Sequence, residues 1–187
     1  MTERWRCFIA VPIDDGLRSR LADAMAGWKP DPRADGLRWI EADALHLTLA
    51  FLGDVDPSRV PALQQSIEDV AGRHLSVVVP TGRLGAFARP GSARVLWYGI
   101  QDADGAVRAL ADDLADALGL DRAEEPYRPH ITLARARRGW LDLRGWIAKA
   151  SLEAPDARLT VSAVDLMRSH LGQGPARYER LASVRLG

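Results

Sequence analysis

The chain opens with an apolar-rich run from Arg6 to Ile13, closed by Pro12, which reads as a strand. From Asp14 to Trp28 the apolar positions Leu17, Leu21, Ala24 and Trp28 recur at helical spacing, and Asp14 is placed to cap that helix. Two prolines and a glycine make Lys29–Gly36 a loop, and a short strand is expected at Leu37–Ile40. A strand follows at His46–Gly53, then a helix from near Pro57 to about Gly72, with proline at the favoured first turn. Ser76–Phe87 and Arg94–Ile100 read as strands joined by a turn. Beyond them come a helix at about Asp104–Leu118, a strand at His130–Arg137 and a helix near Leu141–Ala150. One long strand is expected at Arg158–Leu171, and after the turn GQGP a last strand at Arg177–Leu186.

Two landmarks make this one pattern written twice. His46-Leu-Thr-Leu matches His130-Ile-Thr-Leu at an offset of 84, and Ala93-Arg94 matches Ala176-Arg177 at an offset of 83. Two copies are too few for a solenoid. The expected fold is α+β: a duplicated, bilobal unit of antiparallel sheets with helices outside, a pseudo-twofold axis and a central cleft. No low-complexity tract or long linker interrupts it, so residues 1–187 are expected to form a single two-lobed domain.

The mix of 47% hydrophobic and 27% charged residues is that of a folded protein. Twenty-five basic and 25 acidic residues cancel, which argues against tracking long nucleic acid by phosphate neutralisation and favours gripping one end of it. A lone cysteine, Cys7, suits a reducing compartment. No apolar run is long enough to span a membrane, and the first residues lack the pattern of a signal peptide. The expected setting is the cytoplasm.

Strand parity gives the repeated motif its chemistry. Alternate residues face the same way, so His46, Thr48 and Ala50 share one face, and His130, Thr132 and Ala134 share another. Leu47, Leu49 and Phe51 take the opposite, core face of the first strand. Each strand presents a histidine and a hydroxyl together, and a pseudo-twofold brings the two pairs across a cleft. Opening a cyclic phosphate with water needs a base for the water proton and an acid for the departing sugar oxygen. Histidine performs either task near neutrality, and threonine hydroxyls can donate to the non-bridging oxygens. A zinc site needs three or four close ligands, and neither strand places a Cys, Asp or Glu on the histidine face. No metal and no cofactor is expected.

The paired motifs resemble those of the two-histidine (2H) phosphoesterase superfamily, and within it the RNA 2′,3′-cyclic phosphodiesterases, or 2′-5′ RNA ligase-like proteins. The likeness extends from Cys7-Phe8-Ile9-Ala10 through His46-Leu-Thr-Leu-Ala-Phe-Leu-Gly53 and Arg128-Pro-His-Ile-Thr-Leu-Ala-Arg135 to Gly-Pro-x-x-Tyr178. It implies hydrolysis of RNA or nucleoside 2′,3′-cyclic phosphate ends to 2′-phosphomonoesters, with His46 as proton donor, His130 as proton acceptor, and Thr48 and Thr132 on the phosphate. Reversible 2′-5′ joining of RNA is a secondary implication. The partners implied are RNA 3′ ends or small cyclic nucleotides, met by a monomer. A non-catalytic RNA-end binding module, and an esterase for another small phosphodiester, stay open as readings of the same residues.

Substrate contacts are expected from Arg128, Arg135, Phe8 and Tyr178. Arg128 has the parity of His130. Strict alternation points Arg135 away, so it contributes only if the strand bends or ends there. Phe51 is assigned to the core, and Tyr127 is another possible stacking residue. Glu125 stands where relatives often carry arginine. His74, after a helix, reads as structural, and His170 as cleft rim. Arg135, Arg137 and Arg138 form a short basic run suited to a polyanion end. The six tryptophans, Trp39 and Trp97 among them, read as core and lobe-interface filler.

Overall fold

The computed structural model describes residues 3–89, 92–121, 125–170 and 176–187. Its first strand, β1 (Trp5–Pro12), leads into helix α1 (Asp15–Trp28), where the Asp14 carboxylate accepts from the Leu17 amide at 2.8 Å as the expected cap. A short strand β2 (Leu37–Trp39) precedes β3 (His46–Val55). Helix α2 (Val60–Ala71) begins after a single 3-10 turn at Pro57–Arg59. Strands β4 (Val77–Arg89) and β5 (Ser92–Ile100) follow, then α3 (Ala106–Ala117), whose first amides donate to Asp102. Strand β6 (His130–Ala136), α4 (Arg144–Glu153), β7 (Arg158–Val161), β8 (Ala163–His170) and β9 (Arg177–Arg185) complete the chain. The turn GQGP at 172–175 lies outside the described residues, as do 90 and 91 of the first hairpin turn.

The expected strand Arg158–Leu171 is two strands. It breaks at Ser162, and its pieces separate: β7 pairs with β4, and β8 with β1. The alternation changes there, from a single buried residue in two along β7 to the buried run Val164-Asp165-Leu166 in β8.

Among the described residues the strands form one antiparallel array in the order β7-β4-β5-β6-β3-β1-β8-β9, with β2 paired on β6. The pseudo-twofold passes between β3 and β6, whose ladder pairing is confined to Leu47 and Ile131. One lobe is β3-β1-β8-β9 and the other is β6-β5-β4-β7. The lobes are therefore not consecutive halves of the chain. Strand β4, from the first half, completes the lobe of the second motif, and β8, from the second half, completes the lobe of the first.

This exchange corrects one landmark of the repeat. Strand β5 lies beside the motif strand β6, whereas β9 is the outermost strand of the other lobe. Arg94 and Arg177 are thus not symmetry equivalents. The strands that correspond are β1 with β5 and β8 with β4.

One continuous core lies behind the array. Leu17, Leu21 and Met25 of α1, Leu63, Ile67 and Val70 of α2, Val107, Leu110 and Leu114 of α3, and Trp146 of α4 are buried with Ile9, Leu47, Ile131 and Leu166 of the strands. Trp28, Trp39 and Trp146 meet edge to face, at centroid separations of 6.2 and 6.3 Å, and fill this core as expected. With the helices on the apolar face, the polar motif residues are left on the opposite one.

Candidate active site

The two motif strands share an irregularity that decides what enters the cleft. Along β3, Ala50 pairs with Ile9 and Thr48 with Ala10, so Leu49 is an extra residue with no step on β1. Along β6, Ala134 pairs with Leu96 and Thr132 with Trp97, so Leu133 is extra in the same way. Each is a β-bulge, and beyond it the side-chain parity is reversed. Both members of Leu49-Ala50 and of Leu133-Ala134 are buried, and the next residue in each strand is exposed. Those residues are Phe51, 68% exposed, and Arg135. Phe51 is therefore not a core residue. Arg135 joins the face of His130 because the strand is bulged, which an unbroken alternation forbids.

Each imidazole is tied to its own chain. His46 Nδ1 lies 2.8 Å from the Ala44 carbonyl, and His130 Nδ1 lies 2.6 Å from the Arg128 carbonyl. A carbonyl only accepts, so both Nδ1 atoms carry hydrogen, and each Nε2 is left to accept or donate in the cleft. Aromatic rings hold the imidazoles from the side. Phe8 lies 4.9 Å and Tyr178 5.2 Å from His46, between ring centroids. Phe87 and Trp97 lie 4.7 and 6.1 Å from His130. Trp97 faces the cleft beside His130 and is not interface filler.

Continuing the Leu47–Ile131 pairing by one residue each way sets His46 opposite Thr132 and Thr48 opposite His130. Four polar side chains thus meet at the lobe junction, in crossed pairs. All four are half-buried. Burial holds both imidazoles below their ordinary pKa. The Arg135 guanidinium presses the same way on each, and His130 adds to it at His46. Burial pushes the Tyr178 hydroxyl up, while Arg135 and Arg38 pull it down. Arg38 pairs with Arg135 across β2 and β6. The sequence marks Arg38 only as a charged residue inside the short strand Leu37–Trp39.

Other expected residues divide. Phe8 and Tyr178 stand beside His46, as described. Arg128 is exposed, and its main chain, rather than its guanidinium, makes the contact to His130. Tyr127 is no stacking platform: its hydroxyl donates to the Thr48 carbonyl at 2.7 Å, a strut from one motif to the other. Burial drives that hydroxyl far above its usual pKa. His74 bonds Asp113 of α3 at 2.9 Å and is structural. His170 bonds Glu179 across the β8–β9 ladder at 2.9 Å. Among the described residues no three His, Cys, Asp or Glu side chains gather as a metal site needs.

The chain matches the profile of the 2′-5′ RNA ligase superfamily over residues 16–173. It belongs to that superfamily. Among curated members it is 33% identical over 140 residues to the RNA 2′,3′-cyclic phosphodiesterase of Escherichia coli K12, an alignment covering 72% of this chain and 74% of that one. It is 30% identical over 189 residues to the RNA 2′,3′-cyclic phosphodiesterase of Geobacillus stearothermophilus, spanning 98% of this chain but 58% of that relative. The fold agrees with that of E. coli LigT, solved in complex with 3′-AMP, at a TM-score of 0.73 and 26% identity, covering 98% of this chain and 99% of the other. Membership of the 2′-5′ RNA ligase superfamily accords with the bilobal α+β fold expected from the repeat. No described helix is long and apolar enough to cross a membrane.

Proposed function

We propose that this chain hydrolyses RNA or nucleoside 2′,3′-cyclic phosphate ends to 2′-phosphomonoesters by acid–base catalysis with two histidines and no metal, in the cytoplasm and as a monomer. The observation that carries this is the pair of imidazoles, each anchored through Nδ1 to the carbonyl two residues before it, on two strands whose Leu47–Ile131 register, continued by one residue, sets each histidine opposite the threonine of the other motif. The names of the RNA 2′,3′-cyclic phosphodiesterase relatives support the same substrate class.

In this mechanism neutral His130 takes a proton from water through Nε2 as the water oxygen attacks phosphorus. The bond from phosphorus to the 3′ oxygen breaks in line, and protonated His46 gives that oxygen its proton. The products are a free 3′ hydroxyl and a 2′-phosphate. His46 leaves the cycle neutral and His130 protonated, and exchange with solvent restores both. Thr48 and Thr132 donate to the non-bridging oxygens, and Arg135 offsets the charge that grows on them. With an RNA 5′ hydroxyl in place of water, the same steps make a 2′-5′ linkage, and their reversal, attack by the 3′ hydroxyl with loss of the 5′ hydroxyl, restores the cyclic phosphate.

Incubating the purified protein with a nucleoside 2′,3′-cyclic phosphate, with and without EDTA, tests the reading. The expected product is the 2′-phosphate, formed at equal rates with chelator. Full loss of activity in EDTA, or a 3′-phosphate product, overturns it.

A further inference from the structure

Superposing the two lobes by their pairing registers shows where the pseudo-symmetry fails. In the second lobe the row running outward from the motif is Thr132–Trp97–Gly85. In the first lobe the equivalent row is Thr48–Ala10–Asp165. The Trp97 indole occupies the space beside Gly85, so closely that a β-carbon there would stand 2.3 Å from two ring atoms. The first lobe has a methyl group where that indole is rooted. What it has in place of the ring is a cavity of about 470 Å³, whose walls include Ala10, His46, Asp165, Met167, Tyr178 and Arg180. That size is ordinary for a small-molecule site.

Asp165 is unusual in this position. It is only 4% exposed, one of two buried polar residues among those described, yet it borders the cavity. Its Oδ1 accepts from the Ser183 hydroxyl at 2.5 Å. Its Oδ2 lies 3.8 Å from Arg180 Nη1, too far for a hydrogen bond. Two strand spacings separate Thr48 from Asp165, about 10 Å, a span that a ribose and a base bridge.

The proposed chemistry fixes which side of the phosphate this cavity serves. The acid must reach the sugar oxygen, so the nucleoside lies toward His46, while water arrives from His130. We infer that the cavity seats the terminal nucleobase, that it takes a flat bicyclic ring as the other lobe takes its indole, and that Asp165 accepts hydrogen bonds from the edge of a guanine. This rests on the functional reading above and assigns its base preference. Guanine presents two adjacent donors, N1–H and the 2-amino group, to the two carboxylate oxygens. Adenine and cytosine present one amino group. Uracil presents one N–H between two carbonyls, which a carboxylate repels. Tyr178, edge-on to His46 at 5.2 Å, and the soft Met167 flank the path of the base.

The test compares hydrolysis of the four nucleoside 2′,3′-cyclic phosphates by the unaltered protein and by Asp165→Asn. The expected kcat/KM for the guanosine substrate exceeds that for uridine by about tenfold or more, the scale of one hydrogen bond to a charged group. Asp165→Asn is expected to remove most of that advantage, lowering the guanosine rate and, with the repelling charge gone, raising the uridine rate. Filling the cavity with Ala10→Leu is expected to cost the purine substrates more than the pyrimidines. Calorimetric binding of 2′-GMP and 2′-UMP to the unaltered protein reads the same discrimination if a variant does not fold. Equal affinities for these two, equal rates on the four substrates, or a guanine preference that survives in a folded Asp165→Asn protein overturns the inference. Failure to hydrolyse any of the four strikes instead at the functional reading itself.

Discussion

At the scale of single residues, the histidines and Arg135 set the chemistry and its pH range. Replacing His46 or His130 with alanine is expected to lower kcat/KM by about 10²-fold or more, the usual contribution of a positioned acid or base, with the melting temperature little changed. The pH profile is the sharper measurement. Burial and Arg135 both favour the neutral imidazole, so the protonated acid is scarce in the free enzyme at neutrality. Activity per free enzyme, kcat/KM, is therefore expected to peak on the acid side of about 6.5, the ordinary histidine value. Arg135→Gln removes a positive charge that acts on both rings. Both limbs of its profile are expected to move to higher pH, along with a raised KM from the lost phosphate contact. Limbs that stay in place in this variant would show that Arg135 does not govern the two titrations.

At the scale of elements, the bulges and the packing of Trp97 explain what could be foreseen. The order of strands and helices, the Asp14 cap, and the shared face of each histidine and threonine all follow from local periodicity, and the structure has them. The core placement of Phe51 fails, and the bend that Arg135 needs to reach the cleft is present, for one reason. A bulge reverses parity without altering the hydrophobic pattern enough to announce itself, because Ala50 and Ala134 are small enough to be read on either face. Arg158–Leu171 was read as one strand because nothing but the exposed Ser162 marks the break. The cavity beside Asp165 depends on which strands become neighbours, and strand exchange hides that from local sequence. Gly85→Ala tests the packing directly. The new methyl collides with an indole already packed against Phe87. Thermal unfolding should show a loss of about 1–3 kcal/mol, the usual cost of overpacking.

Across the whole molecule, the exchange of β4 and β8, with the Tyr127 strut, is expected to make the two lobes unfold as one unit. Far-ultraviolet circular dichroism and tryptophan fluorescence should report a single coincident denaturant transition. Two separated transitions would show lobes that fold alone. Stability should also depend on pH with a definite sign. Both histidines have folded pKa values below the unfolded value, so the unfolded chain binds more protons between the two. The contribution is complete above about 6.5 and is lost as pH falls from there toward the depressed folded values. A His46→Ala, His130→Ala double variant should flatten that part of the curve, as measured by urea unfolding at a series of pH values. The strand exchange has a further result for synthesis on the ribosome. Both His-x-Thr segments have been made once residue 132 is added, but the sheet around the first of them still lacks its outer wall. Residues 163–185 supply β8, β9, Asp165 and Tyr178, so a nascent chain carries the full reactive quartet well before it has anywhere to hold a nucleoside. A chain terminated prematurely near Ser162 would keep every reacting group and lose the enclosure that makes them an enzyme.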